Sequence, residues 1–359
     1  MKYFLPEHDI TELEFVLKES RLLFEGRRIF ISGSTGLIGS YLYRYLLDLA
    51  RLASIRFDLF LTTRDRSLSK RSFSHFNCRI NYIFCDFHDY ESLRLVCSSL
   101  KNSIDILFHF ASPSAPNDYR REPFHTFYTN PVACIHLTDI LKQSRTDRSK
   151  FVYSSTTGIY GVHEDQEYPL SEETQCIINP SDPSQIYNIA KLSAEQILVQ
   201  QAAQTNISFY SLRLNINYGP GIKLDDGRAL SDFIQSGMSK LPIQLKSFGD
   251  QTRNYLYLSD TIRAIILLIS RVQESCTVNI SNSEDITIYA LAKLIAEYFG
   301  TIVLLPQKPV SHSGVDFKRT SVDVSTLNFL TDWKPLVSMK EGIVRVILSL
   351  HKLKHLPNQ

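Results

Sequence analysis

The chain has 359 residues, of which 43% are hydrophobic and 21% are charged. This composition is ordinary for a folded globular protein, and the length suits either one large domain with an appended lobe or two domains. The formal net charge of +2 gives no reason to expect a nucleic-acid partner.

The cysteines and the apolar segments exclude further classes of protein. Six cysteines are scattered without a Cys-x-x-Cys or Cys/His pairing, so the sequence predicts reduced, mostly buried thiols and no metal site. The longest aliphatic run, residues 264–269, is too short to cross a bilayer, and the first residues lack the apolar segment of a signal peptide. We therefore expect a cytoplasmic protein without a membrane partner.

In chain order, the predicted elements begin with an amphipathic helix at residues 10–24, within an N-terminal extension of residues 1–26. Strand-like and helix-like segments then alternate, which predicts parallel strands joined by crossover helices. The predicted strands are residues 28–32, 57–62, 80–84, 104–110, 151–154 and 208–214, and the helices are residues 37–50, 90–100, 123–141 and 185–201. The predicted fold class is α/β, a Rossmann-like doubly wound parallel sheet, over residues 27–220 with part of 250–285.

The first predicted strand ends in a glycine-rich turn, in which Gly33, Gly36 and Gly39 lie three residues apart. A strand–turn–helix unit of this kind holds a dinucleotide pyrophosphate, because glycine permits the sharp turn and leaves room for phosphate at the helix N-terminus. The spacing GxxGxxG is that of the short-chain dehydrogenases. A turn that merely joins a strand to a helix is the alternative interpretation.

The end of the second predicted strand bears on the choice of dinucleotide. NAD enzymes commonly end this strand with an acidic residue that binds both ribose hydroxyls, whereas an arginine suits the 2′-phosphate of NADP. This chain has Arg64 there, followed by Asp65, so the sequence favours NADP over NAD. An arginine stacked on the adenine is the competing interpretation.

Two further constellations carry candidate chemistry. Residues 152–161 form a strand that runs into a hydroxyl-rich turn, at the edge where open α/β sheets bind ligands. Tyr187 and Lys191 lie four residues apart on one face of a predicted helix. A nearby ammonium lowers the pKa of a phenol, which suits acid–base catalysis on a sugar hydroxyl. For the hydroxyl-rich turn, the alternative is a strand end capped by Ser or Thr. For the Tyr187/Lys191 pair, the alternative is a chance match.

Past residue 220 the pattern changes to longer polar loops and smaller units, which predicts a smaller C-terminal substrate-binding lobe over most of residues 221–359. Its predicted helices are residues 229–238, 260–270, 288–298 and 340–350, and its predicted strands are residues 243–247 and 255–258.

Together these motifs resemble the extended short-chain dehydrogenases of the NAD-dependent epimerase/dehydratase family, which act on nucleotide sugars. The resemblance covers roughly residues 28–350 and includes the glycine turn and the Tyr187/Lys191 pair. The other matching motifs are Cys85-Asp86-Phe87, Phe108-His109-Phe110-Ala111-Ser112, Asn130, Ser155-Thr156, Arg213, Tyr218-Gly219-Pro220, residues 249–255, Asn279-Ile280-Ser281-Asn282 and Asp332-Trp333-Lys334-Pro335.

The resemblance implies a role for each matching residue. Tyr187 would be the acid/base, Thr156 would bind the sugar C4 oxygen, and Lys191 would contact the nicotinamide ribose. The cofactor-binding residues would be Gly33, Ser34, Thr35, Gly36, Leu37, Ile38 and Gly39 around the pyrophosphate, Arg64, Asp86 and Phe87 at the adenosine, and Ala111, Ser112, Asn130 and Lys191 along the rest.

The substrate-binding residues implied by the resemblance are Ser114, Thr157, Asn215, Asn217 and Arg253. Arg253 would meet the nucleotide diphosphate, since a fixed cationic fork suits phosphate, and a surface salt bridge is the alternative. Most relatives place asparagine one position after Asn215, so either Asn215 or Asn217 would replace that diphosphate contact.

Departures from the family pattern narrow the predicted reaction. Relatives that eliminate water place Asp-Glu directly after the catalytic threonine, and decarboxylating relatives also use a carboxylate at the second position, where this chain has Thr157 and Gly158. We therefore expect simple oxidoreduction at C4 of a nucleotide sugar, foremost the reduction of an NDP-4-keto-6-deoxyhexose. A 4-epimerase with bound NAD is the alternative. A 4,6-dehydratase, a decarboxylase and a non-catalytic cofactor-sensing protein are the less favoured alternatives.

The resemblance also implies a homodimer, because relatives pair through the helices that correspond to residues 123–141 and 185–201. A nucleotide sugar and a second copy of the chain are then the only expected partners.

Overall fold

The computed structural model describes residues 5–67, 72–75, 77–100, 103–142, 149–308 and 318–354, and for residues 72–75, 116–117 and 352–354 the backbone alone. Residues 1–4 of the predicted extension and residues 355–359 of the predicted lobe lie outside the described residues. The six cysteines are free thiols.

The strands, in chain order, are β1 (Arg28–Ser32), β2 (Phe57–Thr63), β3 (Ser72–His75), β4 (Cys78–Phe84), β5 (Ile106–His109), β6 (Ser149–Thr156), β7 (Ile207–Leu214), β8 (Ile216–Tyr218), β9 (Ile243–Gln244), β10 (Thr252–Arg253), β11 (Tyr255–Tyr257), β12 (Cys276–Ile280), β13 (Ile286–Thr287) and β14 (Val303–Leu304).

The helices are α1 (Glu7–Leu13), α2 (Leu17–Phe24), α3 (Leu37–Leu52), α4 (Tyr90–Leu100), α5 (Pro116–Arg121), α6 (Pro123–Phe127), α7 (Ala133–Leu141), α8 (Ile186–Gln204), α9 (Ala229–Met238), α10 (Leu258–Arg271), α11 (Ile288–Phe299), α12 (Ser325–Thr331) and α13 (Met339–Lys354). A π-helical turn, Tyr128–Val132, joins α6 to α7, so the predicted helix 123–141 is continuous but distorted. Within the described residues, no helix combines the length and apolar character needed to cross a membrane.

One sheet, in the order β12-β7-β6-β5-β1-β2-β4-β3, forms the centre of the molecule. Its seven strands from β12 to β4 are parallel, and β3 pairs antiparallel with β4 at the edge. Strand β7 is buried along its whole length, because helices cover both faces of a parallel sheet. The predicted Rossmann-like α/β class is confirmed, although the strand patterns of the sequence miss β12 and β3.

Two helical layers sandwich this sheet. Helices α3 and α10 pack on one face in a core that includes Leu42, Leu46 and Ile265. Helices α4, α7 and α8 supply the core on the other face, with Leu93, Leu137 and others. The sheet edge where the parallel strands end is left open between these layers, which is where ligands bind in this architecture.

The N-terminal extension joins distant parts of the chain. The predicted helix 10–24 is two helices, α1 and α2, linked by a 3-10 turn at Glu14–Val16. Buried Asp9 accepts hydrogen bonds from the Tyr257 hydroxyl and the Arg345 guanidinium, both at 3.1 Å. The Leu5 amide donates to Asp48 of α3 at 2.9 Å. The extension therefore fastens α3, β11 and α13 to one another.

The remaining elements form a second core, to which α9, α11, α13, β8 and β11 contribute, with Phe233, Ile295 and Ile347 among its buried residues. This core lies on the C-terminal side of the sheet and closes one wall of the crevice described next. The boundaries assigned to the domains stay a prediction.

Candidate active site

A crevice of about 1650 Å³ lies between the open edge of the sheet and the second core. Most of the residues implied by the family resemblance line it, namely Gly33, Thr35, Gly36, Leu37, Ile38, Gly39, Arg64, Asp86, Phe87, Ala111, Ser112, Ser114, Thr156, Thr157, Tyr187, Lys191, Asn215, Asn217 and Arg253. Ser34 and Asn130 lie behind the wall. The Ser34 hydroxyl donates to the Thr62 carbonyl at 2.8 Å, and the Asn130 amide donates to the Ser112 hydroxyl at 3.1 Å.

The glycine turn forms one end of the crevice. Gly33 has a φ of +68°, and a Cβ there would lie 2.6 Å from the Ala111 amide nitrogen, so a side chain at this position would clash with backbone. Helix α3 begins directly after Gly36, and none of the described side chains caps its N-terminus. Its first amide groups are therefore available to an anion in the crevice.

The buried His109 lies beneath the crevice beside this turn. Burial, reinforced by the nearby Lys191, lowers the pKa of His109 to about 3, so its imidazole is neutral. One ring nitrogen lies 2.8 Å from the Thr129 carbonyl, and the other lies 2.7 Å from the Ser32 hydroxyl. The Ser32 oxygen in turn accepts the Ala111 amide at 3.2 Å. This chain of bonds fixes the segment that faces Gly33.

Tyr187 projects from the first turn of α8 and is half-buried in the wall of the crevice. Its ring stacks on Tyr119 with 5.1 Å between centroids and 20° between planes. Burial raises the pKa of Tyr187 to about 12, while the Arg228 guanidinium and a hydrogen bond with Thr156 oppose that rise. The Thr156 hydroxyl also accepts the Gly158 amide at 3.2 Å, which holds its oxygen next to the phenol.

Lys191 lies one turn further along α8 and is only 1% exposed. Its ammonium donates to the Ser154 carbonyl at 2.5 Å and lies 5.6 Å from the centre of the Tyr187 ring. Burial lowers the pKa of Lys191 to about 7. The sequence predicts that Lys191 lowers the pKa of the phenol, and the structure differs. Burial reduces the fraction of Lys191 that is protonated at neutral pH. The cation that lowers the pKa of Tyr187 is Arg228.

The Asn188 side chain occupies the space beside the second position after Thr156. Thr157 begins a 3-10 turn, and a Cβ on Gly158 would lie 2.6 Å from the Asn188 amide oxygen. The Asn188 amide donates to the Gln185 side-chain oxygen at 2.9 Å, which holds it in place. The carboxylate that eliminating relatives place here is therefore absent in sequence, and a side chain at Gly158 would require Asn188 to move.

The neighbouring Ser155 is buried at the crevice, and its hydroxyl has no hydrogen-bond partner among the described residues. An unpartnered buried hydroxyl is costly, so a group in the crevice that pairs with it is favoured. This orphaned donor lies beside Thr156 and close to the fixed Ser154 carbonyl.

The residues predicted to bind substrate line the opposite wall. Arg253 lies in β10 and donates to the Thr252 carbonyl at 2.7 Å. The Asn215 amide donates to the Thr320 carbonyl at 2.8 Å, and Asn217 donates to the Asn215 carbonyl at 3.0 Å while its oxygen accepts the Thr261 hydroxyl. Both asparagines and Arg253 are thus engaged with other groups of the protein.

Sequence reasoning missed Arg228 and Tyr119. Arg228 precedes α9 and lies far from Tyr187 in the chain, yet its guanidinium lies near the phenol and donates to the Ser114 carbonyl at 3.3 Å. No motif in the sequence marks it, because its proximity to Tyr187 depends on how the second core packs against the sheet. The one available signal is its place directly before a helix at the crevice side of the predicted lobe.

Comparisons with known proteins find similar sequences and similar folds. UDP-glucuronic acid decarboxylase 1 of Xenopus tropicalis is 27% identical over 337 residues, which cover 92% of this chain and 74% of that protein. The solved structure of an epimerase from Methanothermobacter thermautotrophicus has a TM-score of 0.74 at 20% identity and covers 95% of this chain and 96% of its own.

UDP-glucuronic acid 4-epimerase from Bacillus cereus, solved with UDP-glucuronic acid and NAD, has a TM-score of 0.71 at 22% identity and covers 91% of this chain and 99% of its own. At this identity the two structural likenesses show the fold alone. The model of the NAD-dependent epimerase/dehydratase family matches residues 29–281, a span that contains the glycine turn, Thr156, Tyr187 and Lys191. The chain therefore belongs to the NAD-dependent epimerase/dehydratase family.

Proposed function

We propose that the chain transfers a hydride between NAD(P) and C4 of a nucleotide sugar, and that it acts foremost as a reductase of an NDP-4-keto-6-deoxyhexose. The observation that carries this proposal is the half-buried Tyr187 phenol beside Thr156, whose raised pKa keeps it protonated at neutral pH. A protonated phenol is the form that donates a proton to a carbonyl oxygen as its carbon is reduced.

The residues of the crevice fit a dinucleotide. The backbone cradle at Gly33, the uncapped N-terminus of α3 and the orphaned Ser155 hydroxyl offer donors and space that the protein itself leaves unused. The glycine turn would hold the pyrophosphate, and Lys191 would hold the nicotinamide ribose. When bound, the nicotinamide supplies the hydride.

The protein then supplies position and the proton. Tyr187 donates its phenolic proton to the C4 oxygen, and the Thr156 hydroxyl holds that oxygen in line. Arg228 stabilises the phenolate that remains, as its effect on the Tyr187 pKa indicates. Thr157 and Gly158 supply no carboxylate for elimination at C5–C6, which supports plain redox at C4.

Comparison of Tyr187→Phe with Tyr119→Phe tests this proposal, because the two rings are stacked and each change removes one hydroxyl. We expect the wild-type protein to consume one NADPH per NDP-4-keto-6-deoxyhexose, followed at the absorbance of reduced nicotinamide. Tyr187→Phe should lower turnover by about 10²- to 10⁴-fold with NADPH binding retained, and Tyr119→Phe should change it far less. Equal turnover in wild type and Tyr187→Phe would contradict the acid/base role.

A 4-epimerase is the first alternative, and the cofactor distinguishes it. An epimerase would copurify with NAD and interconvert 4-hydroxy nucleotide sugars without net consumption of NADPH. The likeness to a UDP-glucuronic acid 4-epimerase supports a trial of UDP-glucuronic acid in that assay.

A decarboxylase is the second candidate, and the similarity to UDP-glucuronic acid decarboxylases favours it. Oxidation of C4 in UDP-glucuronic acid produces a β-keto acid, which loses CO₂ without a dedicated carboxylate from the protein. Incubation with UDP-glucuronic acid and NAD, followed by measurement of CO₂, separates the outcomes. Release of CO₂ together with failure to reduce 4-keto-6-deoxyhexoses would replace the reductase proposal.

We further propose that NADP is preferred over NAD. Arg64 follows the end of β2, is exposed and lines the crevice, as expected of a residue that binds a 2′-phosphate. Arg64→Ala should raise the Kd for NADPH by about tenfold or more and leave the Kd for NADH nearly unchanged. A parallel loss for both cofactors would instead support stacking of Arg64 on adenine.

A homodimer through α6–α7 and α8 is the proposed assembly. Exposed apolar side chains lie along these helices, with Phe124 78% exposed and Val199 51% exposed. Burial of such side chains against a second copy would stabilise a dimer. Light scattering should find twice the mass of the chain, and Phe124→Ser should shift the mass toward the monomer. A monomeric wild-type protein would contradict this assembly.

A further inference from the structure

A cluster of metal-ligating side chains lies at the rim of the crevice and takes no part in the proposed chemistry. His88 follows the Asp86-Phe87 turn after β4, whereas Glu122 and His125 lie at the start of α6. The two segments are remote in sequence, and the tertiary fold brings them together at the opening of the crevice, where His88 and Glu122 are part of its lining.

The donor atoms of this cluster are already close. One ligand atom of each of the three side chains lies within 4.8 Å of the other two. The imidazoles of His88 and His125 are stacked with centroids 3.7 Å apart and planes 8° apart. One ring nitrogen of His125, Nδ1, lies 2.5 Å from a Glu122 carboxylate oxygen.

Metal binding would need only a small change in these side chains. Zinc is bound by histidine nitrogen and carboxylate oxygen at about 2.0–2.2 Å, which places neighbouring donors about 3.3 Å apart. Parallel rings do not point at a common centre, so one imidazole must tilt about its side-chain torsions. All three residues are half-buried.

We propose that His88, Glu122 and His125 form a zinc site, with solvent completing the coordination. Two imidazoles and one carboxylate are a donor set that zinc binds in proteins, and zinc accommodates four-coordinate geometry with an open position. The sequence predicts no metal site because its cysteines are unpaired and its local spacings contain no ligand motif, whereas this site arises from two distant segments.

A bound zinc ion would cross-link two walls of the crevice. His88 lies one residue after Phe87, and Glu122 and His125 begin the helix that continues through the π-turn to Asn130, behind Ser112. The ion would therefore hold the turn after β4 against α6. Zinc binding itself does not depend on the proposed reaction, so the site can be tested without substrate or nicotinamide.

The experiment uses the full chain, free of any affinity tag, stripped with EDTA and then titrated with ZnCl₂ in competition with a chromophoric zinc chelator. We expect one zinc ion per chain. His88→Gln and His125→Gln should each weaken zinc affinity by about 10- to 100-fold or more. His136→Gln is the matched control, because His136 lies in α7 outside the cluster and contacts Tyr90, so this variant should bind zinc as the wild type does.

Absence of stoichiometric zinc binding by the wild-type chain would overturn the proposal. So would equal affinity in the wild type, His88→Gln and His125→Gln, since that result would indicate adventitious binding elsewhere. Thermal unfolding in EDTA checks that each variant is folded, and Glu122→Gln, which removes only a charge, serves if a histidine variant fails to fold. Co²⁺ gives a second readout: visible absorption of a four-coordinate site should be present in the wild type and lost in His125→Gln.

Discussion

Two buried cations that lie one turn apart along helix α8 are held in contrasting ways. Lys191 faces the crevice, where its ammonium donates to the Ser154 carbonyl and burial lowers its pKa to about 7. Arg213, in β7, contacts Glu195 of the same helix at 2.9 Å, and it also donates to the Tyr160 hydroxyl and the Glu172 carbonyl at 2.9 Å. One turn of α8 separates Lys191 from Glu195.

The difference shows how the fold distributes its charges. In a buried ion pair whose hydrogen bonds are satisfied, both groups remain charged. A buried amine without a carboxylate of its own has a lowered pKa, so it is only partly protonated near neutral pH. Glu195 raises the pKa of Lys191, but burial outweighs this effect. The same helix therefore keeps an amine with a lowered pKa on one turn and a buried ion pair on the next.

The largest expected effect comes from Lys191→Met. If Lys191 serves the reaction and not the fold, turnover should fall about 100-fold or more, because the variant lacks the group that would bind the ribose. The free energy of unfolding at pH 7 should stay the same or rise by about 1–3 kcal/mol, since a costly buried amine is removed. Steady-state assays and urea unfolding check both. A marked loss of stability would mean that Lys191 stabilises the fold, as the Arg213–Glu195 pair is expected to do.

Replacement of Glu195 by glutamine should lower the stability of the fold, unlike Lys191→Met. The change leaves the buried Arg213 guanidinium without its counter-charge, so the free energy of unfolding should fall by about 3–5 kcal/mol. Urea unfolding followed by circular dichroism measures this loss. A fall well below 1 kcal/mol would mean that the other acceptors of Arg213 suffice.

The pH dependence of stability sharpens the comparison. The pKa of Lys191 is about 7 in the folded chain against an ordinary value of 10.5, so the unfolded chain binds more protons between these values. The free energy of unfolding of the wild type, relative to Lys191→Met, should therefore rise with pH above 7, by about 1.4 kcal/mol per pH unit at most. Urea titrations at pH 7, 8 and 9 measure the difference, and a flat difference would contradict the lowered pKa.

The smallest effect is expected at the surface. Glu91 and Arg94 form a fully exposed ion pair on α4, with 2.6 Å between their charged groups. Glu91→Gln makes the same chemical change as Glu195→Gln, but solvent screens the exposed pair. The urea midpoint should not change measurably. A shift comparable with that of Glu195→Gln would show that burial is not what separates the two pairs.

Local sequence patterns suffice to predict the repeating strand–helix part of this protein. Alternating strand and helix periodicity predicts the parallel sheet, and the glycine spacing predicts the turn in which Gly33 adopts its positive φ. The four-residue spacing of Tyr187 and Lys191 places both on the crevice side of α8. These features are local, because backbone geometry alone sets the helical and strand periods.

The distant groups that surround those residues depend on how the chain packs in three dimensions. This packing brings Arg228 to the Tyr187 phenol, seats Asn188 against Gly158, and places His88 beside His125. It also decided the protonation of the site, since burial raises the pKa of Tyr187 where the Tyr/Lys spacing predicts the reverse. Desolvation and long-range packing depend on every segment that covers a residue, and no short window of sequence contains that information.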